Sequence, residues 1–213
     1  MSIKIPAAKT AIVLIEPQND FLSPGGTMYA YIKEQLSERN VIANLQALLQ
    51  GARGKVAKIF YVPFHAFEPG FPELKKGGPA YEGLRGIEID MKADWGTGAW
   101  LKGTPGPEII KELTPQPGDT VIEGKFTLDA FHSTALDYLL RANEIEYVAF
   151  TGFHTNWCVE SSARSAYDKG YRVVMLGDCT ATDTEREQSY AEEIIFPKIG
   201  MVMNHKEFLA SLT

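Results

Sequence analysis

Short apolar runs recur along this chain, with helical patterns between them. They are AIVLI (11–15), KIFYVP (58–63), TVI (120–122), EYVAFTG (146–152), RVVMLGD (172–178) and GMVM (200–203). Each is rich in β-branched or aromatic residues, and most give way to turn or polar residues. Runs that are apolar at successive positions read as strands covered on both faces, which is the condition of a parallel sheet. The intervening segments carry a helical period. SERNVIANLQALLQGARG (37–54) aligns Val41, Leu45, Leu48 and Leu49; Pro107 to Leu113 reads as a short helix started by proline; STALDYLLRAN (133–143) opens with a Ser or Thr cap. Asn156 to Lys169 places Val159, Ala163 and Ala166 on one side and ends at Gly170, and Thr184 to Phe196 is stopped by Pro197. Strand alternating with helix predicts a three-layer, doubly wound α/β fold of Rossmann-like type. Its six-stranded sheet is mostly parallel, with right-handed crossovers.

A chain of 213 residues without repeats or linkers is expected to fold as one domain over 1–213. The stretch from His65 to Thr104 breaks the rhythm with Gly, Pro and aromatic residues, and insertions of this kind serve as lids, functional loops or interfaces. The formal net charge of −6 carries no nucleic-acid footprint. Two cysteines are too few for a disulfide framework. The first apolar run soon meets Glu16 and lacks a signal-peptide pattern, and no stretch is long enough to span a bilayer. The expectation is a cytoplasmic protein with no membrane or nucleic-acid partner.

In open parallel sheets, ligands bind beyond the carboxyl ends of the strands. That rule selects Glu16, His65, Cys158 and Asp178, with Lys125 following the 120–122 strand. If a helix begins near Asn156, Cys158 lies in its first turn, where unpaired N–H groups favour a thiolate and can hold an oxyanion. Lys125 would lower the thiol pKa further, and Glu16 could take the thiol proton and later activate water. These residue types suffice for acyl transfer through a thioester. A lone cysteine is also often inert packing, and Cys179 reads that way. A lone lysine is often a surface charge, and Asp20 reads as a turn cap.

Three segments, AIVLIEPQNDF, EGKFTLDAFHSTALDYLL and TGFHTNWCVESSARSAYDKGYRVVMLGDCTAT, together resemble the isochorismatase-like cysteine hydrolases. That superfamily includes nicotinamidases, N-carbamoylsarcosine amidohydrolases, biuret hydrolases and ureidoacrylate amidohydrolases. The resemblance covers nearly the whole chain and is weakest between His65 and Trp100. It implies a nucleophile at Cys158, an essential lysine at Lys125 and an acid at position 16. It further implies a cis peptide between Phe153 and His154, with the backbone N–H groups of His154 and Cys158 forming an oxyanion hole. Where the family usually has aspartate this chain has Glu16, one methylene longer, which shifts the carboxylate by about 1–1.5 Å on a fixed backbone.

The resemblance suggests small amides or ureides as substrates, near the ureidoacrylate and carbamoyl-amide branches, and a homo-oligomer, a dimer or tetramer. Candidate substrate-binding residues are Gln18, Phe21, His65, Trp95, Phe126, Asn156 and Trp157, with His154 beside them. Core packing is an equal reading for Phe21 and Phe126. The metal site of the nicotinamidases lacks its Asp-x-His pair here, since Pro63 stands two residues before His65, so neither a metal nor an organic cofactor is expected. Two alternatives stay open: an isochorismatase-type vinyl ether hydrolase, and a catalytically impaired binding protein of the same fold.

Overall fold

The structure, a computed structural model, describes residues 3–79, 81–82 and 100–213. Six strands are described: β1 (Thr10–Ile15), β2 (Lys58–Val62), β3 (Thr120–Val121), β4 (Tyr147–Phe153), β5 (Arg172–Ala181) and β6 (Gly200–Met203). They form one sheet in the order β3-β2-β1-β4-β5-β6, and every neighbouring pair is parallel. The α-helices whose bounds lie within the described residues are α1 (Asn19–Leu22), α2 (Tyr29–Glu38), α3 (Val41–Ala52), α4 (Leu136–Ala142), α5 (Glu160–Asp168), α6 (Glu185–Tyr190) and α7 (His205–Ser211).

The apolar runs are uninterrupted because both sheet faces are covered. All six residues of β1 are buried. Ile12 and Leu14 pack with Leu45, Leu48 and Phe208 on one face, while Val13 and Ile15 pack with Leu136, Leu140, Ala163 and Ala166 on the other. Burying one such aliphatic side chain is worth about 1.5–3 kcal/mol. The β1–β4 approach is tight: a Cβ at Gly152, whose φ is 110°, would lie 2.0 Å from the Ile15 carbonyl oxygen. Only glycine fits there.

Several local readings change. The segment expected as one helix from residue 37 is split, because Asn40 takes a left-handed φ of 52° between α2 and α3. Pro107 to Leu113 does not become a helix beyond a 3-10 turn at Lys111–Leu113. Its backbone is drawn into an antiparallel bridge between Gln18 and Ile109, and Ile110 N–H donates to Pro17 O. The Asn156–Lys169 helix opens instead with a π-helical turn, Thr155–Val159, before α5. Helices α1, α2 and α7 were not anticipated, although α7 carries a legible capping box between Asn204 and Glu207.

The topology places the site. Strand β1 lies between β2 and β4, so successive connections leave it in opposite directions and a crevice forms beyond its carboxyl end. Glu16 follows β1 directly, and the His154–Cys158 turn follows β4.

Candidate active site

Glu16 and Lys125 form an ion pair at the switch point, and both side chains are fully buried. Glu16 sits there because its φ of 52° turns the chain immediately after β1, while its N–H donates to Val62 O at 3.1 Å. A non-glycine residue in the left-handed region is uncommon, and such residues gather at functional sites. Lys125 arrives by a similar kink. The β2–β3 ladder is short, Gly124 turns at φ 83°, and Lys125 forms an isolated parallel bridge to Phe64, two residues beyond β2. The ammonium then lies 5.1 Å from the centre of the Phe64 ring.

Cys158 completes the group from the π-helical turn. The charges of Glu16 and Lys125 both act on its thiol, in opposite directions. The Phe153–His154 peptide is cis, as the resemblance implied. The turn is anchored from several sides. Thr155 Oγ1 donates to Gln188 Oε1 at 2.7 Å, and Gln188 Nε2 donates to Thr180 Oγ1 at 3.0 Å and to Glu192 Oε1 at 2.7 Å. Ser162 Oγ donates to Cys158 O at 2.6 Å and accepts from Ala130 N–H at 2.9 Å.

The electrostatics correct one expectation. Burial, then the negative charge of Glu16, raise the Cys158 thiol well above its ordinary value, against the lowering pull of Lys125. Burial and the Glu16 carboxylate thus both work against a standing thiolate. Burial also opposes the charge of Lys125, but Glu16 and the sulfur outweigh it and hold the lysine above its ordinary value. Glu16 Oε1 is taken by Lys125, whereas Oε2 is buried with no partner among the described residues. The site thus holds an unspent carboxylate oxygen beside a thiol proton.

The other candidates separate. Gln18 spends its amide on structure: Nε2 donates to Phe64 O at 3.0 Å and Pro107 O at 2.9 Å, and Oε1 accepts from Phe64 N–H at 2.7 Å. It clamps two loops with both amide hydrogens, and Oε1 keeps one lone pair. Asn156 Oδ1 accepts from Thr182 Oγ1. Phe21 packs edge-on against His154 at 5.7 Å and meets Trp100 at 5.5 Å. Trp157 stacks on the outer side of His154 at 5.6 Å and is 48% exposed, so it faces solvent. His65 and Phe126 stack on each other at 4.0 Å beside a cleft of about 390 Å³ lined by His65, Phe64, Lys102 and Gly124. Trp95 lies outside the described residues.

Asp178 is not at a strand end, because β5 runs on to Ala181 after a register shift against β4. It accepts from His205 N–H at 2.9 Å and pairs with His205 Nδ1 at 2.5 Å. With Cys179 these residues bring one potential metal-ligand atom each within 4.8 Å, but carboxylate and imidazole are spent on each other. A larger cleft of about 460 Å³, lined by Gln46, Arg53 and Glu112, contains no group of the candidate site.

Sequence reasoning missed Trp100, Asp183 and Gln188, and undervalued Asp20. The last accepts from Thr27 N–H, Thr27 Oγ1 and Trp100 N–H, and so ties the start of α1 to distant chain. Burial raises its pKa against these three hydrogen bonds. The only signal was an acid three residues after Pro17, which fits a turn as readily as a clamp.

The fold and site so described define a switch-point α/β enzyme, and the comparisons agree. A family model described as Isochorismatase domain matches residues 10–207, and the chain belongs to the isochorismatase family. It is an isochorismatase-family hydrolase. Among solved structures, an isochorismatase family protein from Burkholderia thailandensis is 27% identical, covers 99% of each chain and superposes with a TM-score of 0.74. A cysteine hydrolase from Pseudomonas syringae pv. phaseolicola is 23% identical over 97% of this chain and 93% of its own, with a TM-score of 0.79. N-carbamoylsarcosine amidase from Thermoplasma acidophilum is 24% identical over 92% of this chain and 96% of its own, with a TM-score of 0.66. Among the described residues, no helix is long and apolar enough to cross a membrane.

Proposed function

We propose that this chain hydrolyses a C–N bond of a small amide or ureide through a thioester on Cys158. The observation that carries the reading is the unspent Glu16 Oε2 in a buried carboxylate–ammonium pair that acts directly on the Cys158 thiol. Because burial and Glu16 both disfavour a free thiolate, deprotonation and attack belong to one event. Glu16 takes the thiol proton as the sulfur bonds to the substrate carbonyl carbon. The carbonyl oxygen, now negative, is held by the backbone N–H groups of His154 and Cys158. Glu16 returns the proton to the departing nitrogen, the C–N bond breaks, and an amine or ammonia leaves. Water, deprotonated by Glu16, then cleaves the thioester and restores the thiol. Lys125 holds the carboxylate in place and offsets its charge throughout.

Cys158 is only 5% exposed, which favours a small substrate. The amidase named for the Thermoplasma neighbour supports a C–N bond as target. The test is release of ammonia or amine from a panel of small amides, ureides and carbamoyl amino acids. Cys158→Ala and Cys158→Ser should abolish release, and a wild-type acyl adduct on the Cys158 peptide should be trapped by mass spectrometry. Undiminished turnover by Cys158→Ala excludes the scheme.

A further inference from the structure

Two π-helical turns are joined through Gln188. One, Thr155–Val159, carries Cys158; the other, Ala191–Ile195, carries Glu192. Such turns are rare and gather at functional sites. Between the two runs a line of hydrogen bonds. Arg39 Nη2 donates to Glu192 Oε1 at 2.5 Å, Gln188 Nε2 donates to the same oxygen at 2.7 Å, and Thr155 Oγ1 donates to Gln188 Oε1 at 2.7 Å. Gln188 and Thr155 are fully buried. None of Arg39, Glu192 and Gln188 has a part in the proton transfers above.

The line has one polarity. A carboxylate only accepts, so Glu192 draws the Gln188 nitrogen toward itself. The second amide hydrogen goes to Thr180 Oγ1 at 3.0 Å, and that hydroxyl donates to Gly177 O at 3.1 Å. The Gln188 oxygen is left facing Thr155, whose hydroxyl must donate. Turning the amide over would set its oxygen against the carboxylate. Glu192 is itself fixed. Arg39 offsets its charge and also donates to Gly177 O at 3.3 Å. Gly177 leaves the carboxylate room, since a Cβ there would lie 2.7 Å from Glu192 Oε1.

At its far end the line grips the first residue of the nucleophile turn. Among the described residues, Gln188 is the one partner of the Thr155 hydroxyl. Asn156 is held by Thr182, and the Cys158 carbonyl by Ser162. Those bonds keep the turn folded when Thr155 is released, so release acts locally. We propose that Glu192 is a positioning residue for the nucleophile: paired with Arg39, it acts through Gln188 and Thr155 to hold the leading end of the Cys158 turn and keep the thiol seated away from water. The inference rests on Cys158 being the nucleophile of the reaction proposed above, but the seating of the thiol is measurable without turnover.

The test compares iodoacetamide alkylation of Cys158 and Cys179 in the same folded sample at about pH 7.5, read by peptide mass spectrometry. Glu192→Leu keeps the bulk and removes the acceptor. It should speed Cys158 alkylation about tenfold, the worth of one lost hydrogen bond in the opening of the turn, and change Cys179 by less than about threefold. Glu192→Gln keeps an acceptor oxygen for both Gln188 and Arg39 and should restore the slow rate. On the best amide of the panel, Glu192→Leu should lower kcat about tenfold with KM nearly unchanged, and Glu192→Gln should recover it. If Glu192→Leu does not fold, Thr155→Val removes the donor at the other end, keeps the shape and reads the same rates. Cys158 alkylated at the wild-type rate in Glu192→Leu overturns the proposal. So does an equal rise at Cys179, which is general loosening, and so does a Glu192→Gln variant as fast as Glu192→Leu. Absence of amide turnover in wild type would sink the thioester reading, while the alkylation rates still decide whether Glu192 seats the thiol.

Discussion

Removing one member of the buried ion pair should be far more damaging than removing both. Glu16 and Lys125 have no solvent exposure, and one carboxylate oxygen is already without a partner among the described residues. Lys125→Met strands the carboxylate with both oxygens unpaired in a low-dielectric site. Breaking a buried pair in this way costs about 3–5 kcal/mol. At about 2–4 °C per kcal/mol for a chain of this size, Tm should fall by roughly 6–20 °C. The double variant Glu16→Gln with Lys125→Met removes both charges and should recover most of the loss, because the desolvation penalty goes with them. The sign of the pH dependence follows from Lys125, whose folded pKa is held above its ordinary value. Its stabilising contribution is complete below the unfolded pKa of about 10.4 and is lost as pH rises through the higher folded value. Wild type should therefore lose stability in strong alkali more steeply than the double variant. Urea unfolding of wild type, both single variants and the double variant at about pH 7.5, repeated in the alkaline range where lysine titrates, completes the cycle. A single-variant loss below about 1 kcal/mol, or a double variant as unstable as the sum of its parents, would refute the reasoning.

Other perturbations follow from the same geometry. Because burial raises the Cys158 thiol, iodoacetamide alkylation of its peptide should be slow near neutral pH and climb steadily into the alkaline range; a plateau reached already in mild acid contradicts the upward shift. Cys179, also raised by burial and by Asp178, should stay the less reactive of the two, as peptide mass spectrometry would show. Glu16→Asp withdraws the carboxylate by about 1–1.5 Å and should lower kcat about a hundredfold, with KM for the best amide nearly unchanged; equal rates would mean that the backbone after β1 adapts. Gln188→Leu leaves the buried Thr155 hydroxyl without its acceptor, while Thr180 keeps Gly177 and Glu192 keeps Arg39, and should destabilise by about 1–3 kcal/mol in chemical denaturation, the cost of one buried unmet group.

The sheet was legible in the sequence because burial on both faces leaves a local record. A strand such as AIVLI must be apolar at every position, so the run itself reports its environment. The helices with a strong apolar face, α3 and α5, were legible for the same reason; α2 was not, since Tyr29–Glu38 buries only Ile32, Gln35 and Leu36. Glu16, Lys125 and Cys158 were legible as residue types at strand ends, and their order along the chain carried the family resemblance. What each does was decided in three dimensions. The thiol's pKa is raised because remote residues exclude water from it, and no neighbour in sequence encodes that. Gln18 clamps loops because Phe64 and Pro107 come within hydrogen-bond reach from far along the chain. Trp100 is held beside Phe21 and Phe64 because Asp20 and Phe67 grip its backbone. Apolar pattern is a local property that each element states for itself; protonation and hydrogen-bond satisfaction belong to groups brought together only when the chain has folded.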